Sequence, residues 1–223
     1  MEAIVLAGGF GTRLQSVVSD VAKPMAKICG KPFVAYLIEY LSRFDVTRVV
    51  LCVGYKKESI QDYFQANYKG VEIVYSVEER ALGTGGAIKK ALPMVEAKKV
   101  FVCNGDTFFD VDLNAFLHAM RDTKIALALK PMQNFQRYGS VVVEAGRVVS
   151  FKEKEFTKQG LINGGIYLMQ RDVFQDITEE IFSFETFLQV QKNIGGFVSD
   201  GYFIDIGIPE DYKKAQKDCK EMF

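Results

Sequence analysis

The feature that most constrains this chain is a repeated switch between two hydrophobic periods. The runs AIVLA (3–7), RVVLCV (48–53), EIVYS (72–76), VFVCN (100–104) and IALALK (125–130) read as strands. Between them, Phe33, Val34, Leu37, Ile38, Leu41 and Phe44 mark one face of a helix, and 57–68, the stretch TGGAIKKAL and 113–121 read as further helices. Alternation of this kind predicts an α/β fold: a mostly parallel sheet joined by right-handed crossovers. The strand runs are apolar almost throughout, as burial on both faces requires.

Past residue 138 the rhythm changes. SVVVEAGRVVSFKEK (140–154) reads as a hairpin turning at Ala145-Gly146, and NGGIYLM (163–169) as another strand. Short helices are expected around 172–177 and 184–191, then a strand in GYFIDIG (201–207), with Pro209-Glu210-Asp211 opening a last helix. No linker, low-complexity stretch or internal repeat interrupts the 223 residues, so the second half is expected to extend the same sheet.

Lys plus Arg equals Asp plus Glu, 28 each, which gives no long-range field for nucleic acid or an anionic membrane. A small anionic ligand needs only a locally positive pocket. The four cysteines are far apart with no CxxC spacing, so neither a disulfide framework nor a zinc site is expected; Cys52 and Cys103 read as core. MEAIVLAGG lacks the basic start of a leader and no apolar run reaches spanning length, so the cytoplasm is the expected compartment.

The loop LAGGFGTRL (6–14) follows the first strand, and its glycines let a ligand approach the main chain. It is not a Walker loop, which needs GxxxxGK[ST]. Nor is it the dinucleotide fingerprint, since Leu14 stands at the third glycine and no acidic residue lies between Asp20 and Glu39. Two cations follow at useful spacing: Arg13 can fork onto phosphate oxygens, and Lys23 can place a point charge. Pro24 disfavours helix at Lys23 and is expected to keep that residue extended. The plain alternative for both is a solvated surface cation.

LAGGFGTRL, AKPM and GKP together resemble the sugar-1-phosphate nucleotidyltransferases, the nucleotide-sugar pyrophosphorylases. The resemblance extends through EERALGTGGAI (78–88), NGD (104–106), YGSVVV with FKEK, NGGIYL and DIGIPEDY, in the family's order. Ala22 stands where the family usually has a proline, and QSVV replaces a common proline-leucine-threonine segment; neither change removes a charge.

The resemblance implies a Rossmann-like three-layer nucleotidyltransferase fold with a central mixed, mostly parallel sheet and a small antiparallel sugar-binding extension. One domain, 1–223, would hold a nucleotide-binding part (1–130) and a sugar-phosphate-binding part (131–223). The implied substrates are a nucleoside triphosphate and a sugar 1-phosphate, with Mg²⁺ as cofactor. Leu6, Ala7, Gly8, Gly9, Gly11 and Thr12 would cradle the nucleotide, with Gly83 and Thr84 in a second loop. Arg13 would bind the leaving pyrophosphate, and Lys23 would bridge the attacking phosphate and the α-phosphate. Asp106 and Asp205 would share the metal, with Asp106 also catalytic; a turn-capping role is the competing reading for each. Asn104, Gly139, Glu153, Lys154 and Asn163 would contact the sugar.

Glu78 and Glu79 precede the second loop, where the family reads the base. A carboxylate can accept from guanine N1–H and N2–H₂ together, so an acidic residue leans toward GTP. NGDTFFDVDL, KQGLINGGIYL, FSFETFLQ and YFIDIGIPEDY are most similar to short members that join GTP to a manno-heptose 1-phosphate for surface polysaccharide. Mannose 1-phosphate guanylyltransferases and small uridylyltransferases are near alternatives. DVD (110–112) invites a glycosyltransferase reading, but Asp112 more simply starts a helix. His118 reads as bystander surface, and a homo-oligomer is left open.

Overall fold

In chain order the computed structural model, which describes residues 1–9, 14 and 21–219, forms β1 (Glu2–Leu6), a 3₁₀ turn (Lys23–Met25), β2 (Lys27–Ile28), β3 (Lys31–Pro32), α1 (Phe33–Ser42) and β4 (Arg48–Val53). Next come α2 (Lys57–Phe64), β5 (Asn67–Tyr68), β6 (Val71–Val77), α3 (Gly83–Ala91), β7 (Lys99–Asn104), β8 (Thr107–Phe109) and α4 (Leu113–Ala119). The second half holds β9 (Ile125–Phe135), β10 (Gly139–Glu144), β11 (Arg147–Lys154), β12 (Thr157–Gln170), α5 (Phe184–Val190), β13 (Gly195–Val198), β14 (Phe203–Asp205) and α6 (Pro209–Asp218).

Ten of these strands make one sheet in the order β10-β11-β13-β9-β12-β7-β1-β4-β6-β5, so strands from both halves of the chain share it. Parallel pairing is concentrated in β7-β1-β4-β6, with one further parallel pair, β9–β13. β12 joins β7 and β9 antiparallel, and β10 also pairs with β12, which closes five strands of the extension into a ring.

The strands are apolar on both faces because both faces are covered. Ala3, Val5, Val49 and Leu51 point into one core with residues of α1, α2, α4 and α6. Ile4, Val50 and Cys52 point into the other with residues of α3 and α5. Each fully buried side chain of this size contributes ~1.5–3 kcal/mol, so the central strands form a stable frame from which loops can hang.

That frame creates a switch point. From β1 the chain moves to β4 and then β6 on one side, and returns to β7 on the other side of β1. Leu6 and Asn104 are register partners at the carboxyl ends of β1 and β7. A crevice opens where the strand order reverses in this way.

Several sequence expectations are corrected here. The helix expected over 57–68 stops at Phe64, because Gln65 adopts φ 50° and Lys69-Gly70 (φ 51° and 88°) turn the chain into a hairpin of β5 on β6. The helix expected around 172–177 is a run of turns. Its amides reach back three residues, as in Gln175 N to Asp172 O (3.0 Å) and Ile177 N to Phe174 O (3.0 Å). Lys23 is not extended; it opens the 3₁₀ turn closed by Ala26 N on Lys23 O at 3.0 Å, and Ala22 takes the extended conformation instead.

The cysteine reading is corrected as well: Cys29, in the β2–β3 turn, is bonded to Cys219, just past α6, across 190 residues of sequence. Spacing that long carries no pairing signal. Cys52 and Cys103 are buried free thiols, as read, and burial pushes the Cys103 thiol up to about 12. The expected hairpin turn at Ala145-Gly146 is present, with φ 47° and 73°.

Candidate active site

Two aspartates 99 positions apart are brought together by a two-stranded sheet. β14 pairs antiparallel with β8, and the register sets Asp205 opposite Thr107, next to Asp106. A further backbone bond, Ile206 N to Asp106 O at 3.0 Å, fastens the two turns. Lys23 Nζ donates to Asp106 Oδ2 and lies 3.8 Å from Asp205 Oδ1. The lysine side chain is only 11% exposed, against 33% and 28% for the aspartates.

Burial raises the Asp205 pKa, the neighbouring Asp106 carboxylate raises it further, and Lys23 opposes both. Asp205 Oδ1 accepts from Gly207 N at 2.7 Å, which fixes its orientation. Gly207 also has a steric role, since a Cβ there would lie 2.8 Å from Asp205 Oδ1 and 3.3 Å from Lys23 Nζ.

Lys23 and Asp106 line a cleft of about 740 Å³ at the switch point, while Asp205 is not on its wall and reaches it only through its neighbours Lys23 and Gly207. Of the expected nucleotide and catalytic residues, Leu6, Gly8, Gly9, Lys23, Glu78, Glu79, Gly83, Thr84 and Asp106 line it, as does Asn104. Gly11, Thr12 and Arg13 lie outside the described residues. Ala7 is buried and spends its N–H on Cys52 O (2.9 Å), so it props the loop rather than facing a ligand.

Gly8 is required by a close approach, because a Cβ would lie 2.9 Å from Glu78 Oε1. Glu78 is half-buried and accepts from Leu82 N at 3.3 Å; burial raises its pKa, and the Leu82 bond and Lys90 pull it back. Glu79 is exposed on the rim.

In the second glycine loop two of the amides are already engaged within the protein. Gly83 takes φ 71°, and the N–H groups of Gly85 and Gly86 donate to Phe182 O at 3.0 and 3.3 Å. The first turn of α3 is therefore capped by the segment before α5, which leaves those amides no capacity for phosphate. Thr84 Oγ1 donates to Glu185 Oε2 at 2.7 Å and accepts from Phe184 N at 2.8 Å.

The expected sugar residues are more scattered. Glu153 and Lys154 are exposed on β11, off the cleft wall, with Lys154 in register opposite Gly139. Asn163 donates to the Tyr167 hydroxyl at 2.8 Å and accepts from Gly165 N at 3.0 Å, which leaves one amide proton without a partner among the described residues. Tyr138, beside Gly139, packs edge-on against Phe203; burial raises its pKa, and the charge of Asp205 raises it further. Asp112 caps α4 by accepting from Ala115 N at 2.9 Å, as the helix-start reading requires, and His118 is exposed.

Sequence reasoning missed Gly207 and Glu185, both on the cleft wall. Each lies inside a block that resembles the family, DIGIPEDY and FSFETFLQ, but no spacing in the sequence singles either residue out. Nor is the described lining positive: Glu78, Glu79, Asp106 and Glu185 face Lys23 and Arg80. A polyphosphate entering such a cleft needs further positive charge, and two converging carboxylates suit an oxygen-loving divalent cation that also takes phosphate oxygens. Among the described residues no three His, Cys, Asp or Glu side chains cluster to hold a metal unaided.

A family model described as Nucleotidyl transferase matches residues 2–222. The chain belongs to the nucleotidyl transferase family. Within it, the chain is 49% identical over 227 residues to D-glycero-α-D-manno-heptose 1-phosphate guanylyltransferase of Aneurinibacillus thermoaerophilus, covering 99% of each. It is 51% identical over 217 residues to the enzyme of the same name from Campylobacter jejuni, covering 95% of this chain and 97% of the relative. The crystal structure of HddC from Yersinia pseudotuberculosis superposes with a TM-score of 0.90 at 39% identity, over 98% of this chain and 99% of HddC. HddC has also been solved in complex with GMP-PN. HddC thus shares the α/β architecture of this chain, with its central mixed sheet. No helix among the described residues is long and apolar enough to cross a membrane.

Proposed function

We propose that this nucleotidyl transferase moves a guanylyl group from GTP to D-glycero-α-D-manno-heptose 1-phosphate, releasing pyrophosphate and forming a GDP-heptose for surface polysaccharide. The observation that carries the reading is the convergence of Lys23, Asp106 and Asp205 at the switch point. The near full-length identity to two enzymes of that name supports the choice of base and sugar.

A sugar-phosphate oxygen attacks the α-phosphorus as the bond to the β-phosphate oxygen breaks, and pyrophosphate departs in line. Both reactants are anions, so positioning and electrostatic stabilisation carry the catalysis, and no covalent nucleophile is needed. Lys23 stabilises charge between the attacking and α-phosphates, and Arg13 takes the pyrophosphate. Asp106 and Asp205 would hold Mg²⁺, whose chemistry is to offset the charge of the phosphate oxygens. Gly207 keeps the approach to Asp205 open. Leu6, Gly8, Gly9, Gly83 and Thr84 form the nucleotide wall, and Gly11 and Thr12 are assigned to the nucleotide on their place in the glycine motif alone.

Glu78 or Glu79 accepts from the guanine donors. Asn104, Gly139, Glu153, Lys154 and Asn163 serve the sugar, and Asn104 already lines the cleft. Residues 1–223 act as one domain, with the nucleotide part ending near 130 and the sugar-phosphate part following; strands of both parts share a sheet, which supports the single domain. A reaction that draws on nucleoside triphosphate belongs in the cytoplasm.

The test is pyrophosphate release with Mg²⁺, each NTP in turn, and either heptose or mannose 1-phosphate. Release that requires GTP and the heptose phosphate establishes base and sugar together. Equal turnover with another pair overturns the specificity, and no release with any pair overturns the reaction.

A further inference from the structure

The block FSFETF (182–187) reaches the cleft through Glu185, which has no part in the reaction described above. Glu185 stands in the first turn of α5, on a wall that also includes Thr84, Ala87 and Asn104. Its two hydrogen bonds end on the same oxygen: Thr84 Oγ1 donates to Oε2 at 2.7 Å, and Ser183 Oγ donates to it at 2.8 Å. Oε1 has no hydrogen-bond partner among the described residues.

Thr84 is itself fixed by Phe184 N, and Ser183 caps α5 by accepting from Thr186 N at 3.1 Å, so the carboxylate is aimed by groups that are already held. No Lys or Arg among the described residues pairs with it. An unneutralised carboxylate on the wall of a cleft built for two polyanions repels its own substrates. Such a group needs a contact that offsets the repulsion, and a fixed carboxylate oxygen suits hydroxyl donors.

Its position indicates which hydroxyls. Tyr167 packs edge-on against Phe184 at 5.0 Å, and its hydroxyl accepts from Asn163. Burial raises the Tyr167 pKa and the Glu185 charge raises it further, so carboxylate and phenol share one electrostatic neighbourhood. Glu185 is therefore tied to the nucleotide loop at Thr84 and lies near the Tyr167 hydroxyl to which Asn163 donates.

We propose that Glu185 Oε1 is a sugar-recognition group that accepts hydrogen bonds from ring hydroxyls of a bound substrate. The inference rests on the reaction proposed above. Two substrates carry such hydroxyls, the sugar phosphate and the ribose of the triphosphate; the nearby Asn163–Tyr167 pair, whose asparagine the proposed reaction gives to the sugar, favours the sugar phosphate.

Glu185→Gln keeps an acceptor for Thr84 and Ser183 but removes the charge, whereas Glu185→Ala also removes the tie to α3. Pyrophosphate release is measured with each substrate varied in turn, with 2′-deoxy-GTP and 3′-deoxy-GTP as a separate arm, and melting is followed for both variants. In Glu185→Gln the KM for the sugar phosphate is expected to rise roughly tenfold or more, the scale of a charge-assisted hydrogen bond. Its KM for GTP and its melting temperature are expected to stay close to wild type.

A rise confined to GTP that disappears with a deoxy analogue keeps the hydroxyl-acceptor role and moves it to the ribose. Unchanged KM values in a well-folded Glu185→Gln overturn the inference, even if Glu185→Ala melts lower, because Glu185 would then only brace α5. If wild type turns over a different substrate pair, the same comparison is made with that pair, which separates failure of the specificity from failure of this inference. If no pair turns over, calorimetric titration with GDP-mannose decides: weaker binding by Glu185→Gln supports the role, and equal or absent binding overturns it.

Discussion

Gly207→Ala tests the site through a single methyl group. The glycine does not have a left-handed backbone, so alanine brings no conformational penalty of that kind. The new Cβ would lie 2.8 Å from Asp205 Oδ1, about 0.6 Å inside the 3.4 Å at which ordinary contact begins. Asp205 cannot swing aside freely, because the same oxygen accepts from Gly207 N at 2.7 Å. Lys23 Nζ, 3.3 Å from the methyl, is crowded from the other side. Relief must therefore move the carboxylate, the ammonium, or both by several tenths of an ångström.

Misplacement by about 1 Å costs on the order of 10²-fold in turnover, so a shift of roughly half that predicts a loss of about tenfold in kcat. Stability should fall by no more than ~1 kcal/mol, since the strain is confined to a partly open cleft. Steady-state pyrophosphate release at saturating substrates, paired with thermal melting, makes the comparison. Wild-type kcat in Gly207→Ala would refute the claim that this triad is tuned at the reacting centre. A large drop in melting temperature with kcat unchanged would make Gly207 a packing residue only.

Other expectations follow from the same geometry. Lys23→Met should lower kcat by about 10²–10³-fold, the usual cost of losing one preorganised charge donor, while GTP affinity measured by calorimetry changes only a few-fold. Glu78 has a pKa raised by burial above its ordinary 4.5, so the folded state holds the proton more tightly. The stability this contributes is present below pH 4.5 and lost as pH rises through the higher folded value. Urea melts should accordingly show wild type losing ground to Glu78→Gln over that interval, and a pH-independent difference would contradict it. Gly83→Ala combines a left-handed φ of 71° with a Cβ 2.5 Å from Phe182 O. It should cost roughly 1–2 kcal/mol from the backbone alone, and more as the cap on α3 loosens.

What the sequence revealed about this chain follows the range of each signal. β4 is legible to the residue because RVVLCV lies between Thr47 and Gly54, and the hairpin turn is legible because Ala145-Gly146 interrupts two β-branched runs. β13 and β8 escaped notice because four and three residues cannot establish a period. The partnership of Asp106 and Asp205 came only from family resemblance; in the folded chain it depends on the β8–β14 register, which neither segment encodes alone. Glu185 was missed for a similar reason: its partner Thr84 is 101 positions away, and the capping of α3 by Phe182 is a tertiary event. The Cys29–Cys219 bridge belongs in the same class.

The most direct test of the central claim follows the α-phosphorus. The chain is incubated with Mg²⁺, heptose 1-phosphate and GTP labelled at the α-phosphate, and the products are separated by chromatography. The account predicts that the label moves into a nucleotide sugar, that the pyrophosphate carries none, and that Lys23→Met loses the transfer. Label that stays in GTP, or that appears in free GMP with no sugar product, would contradict it.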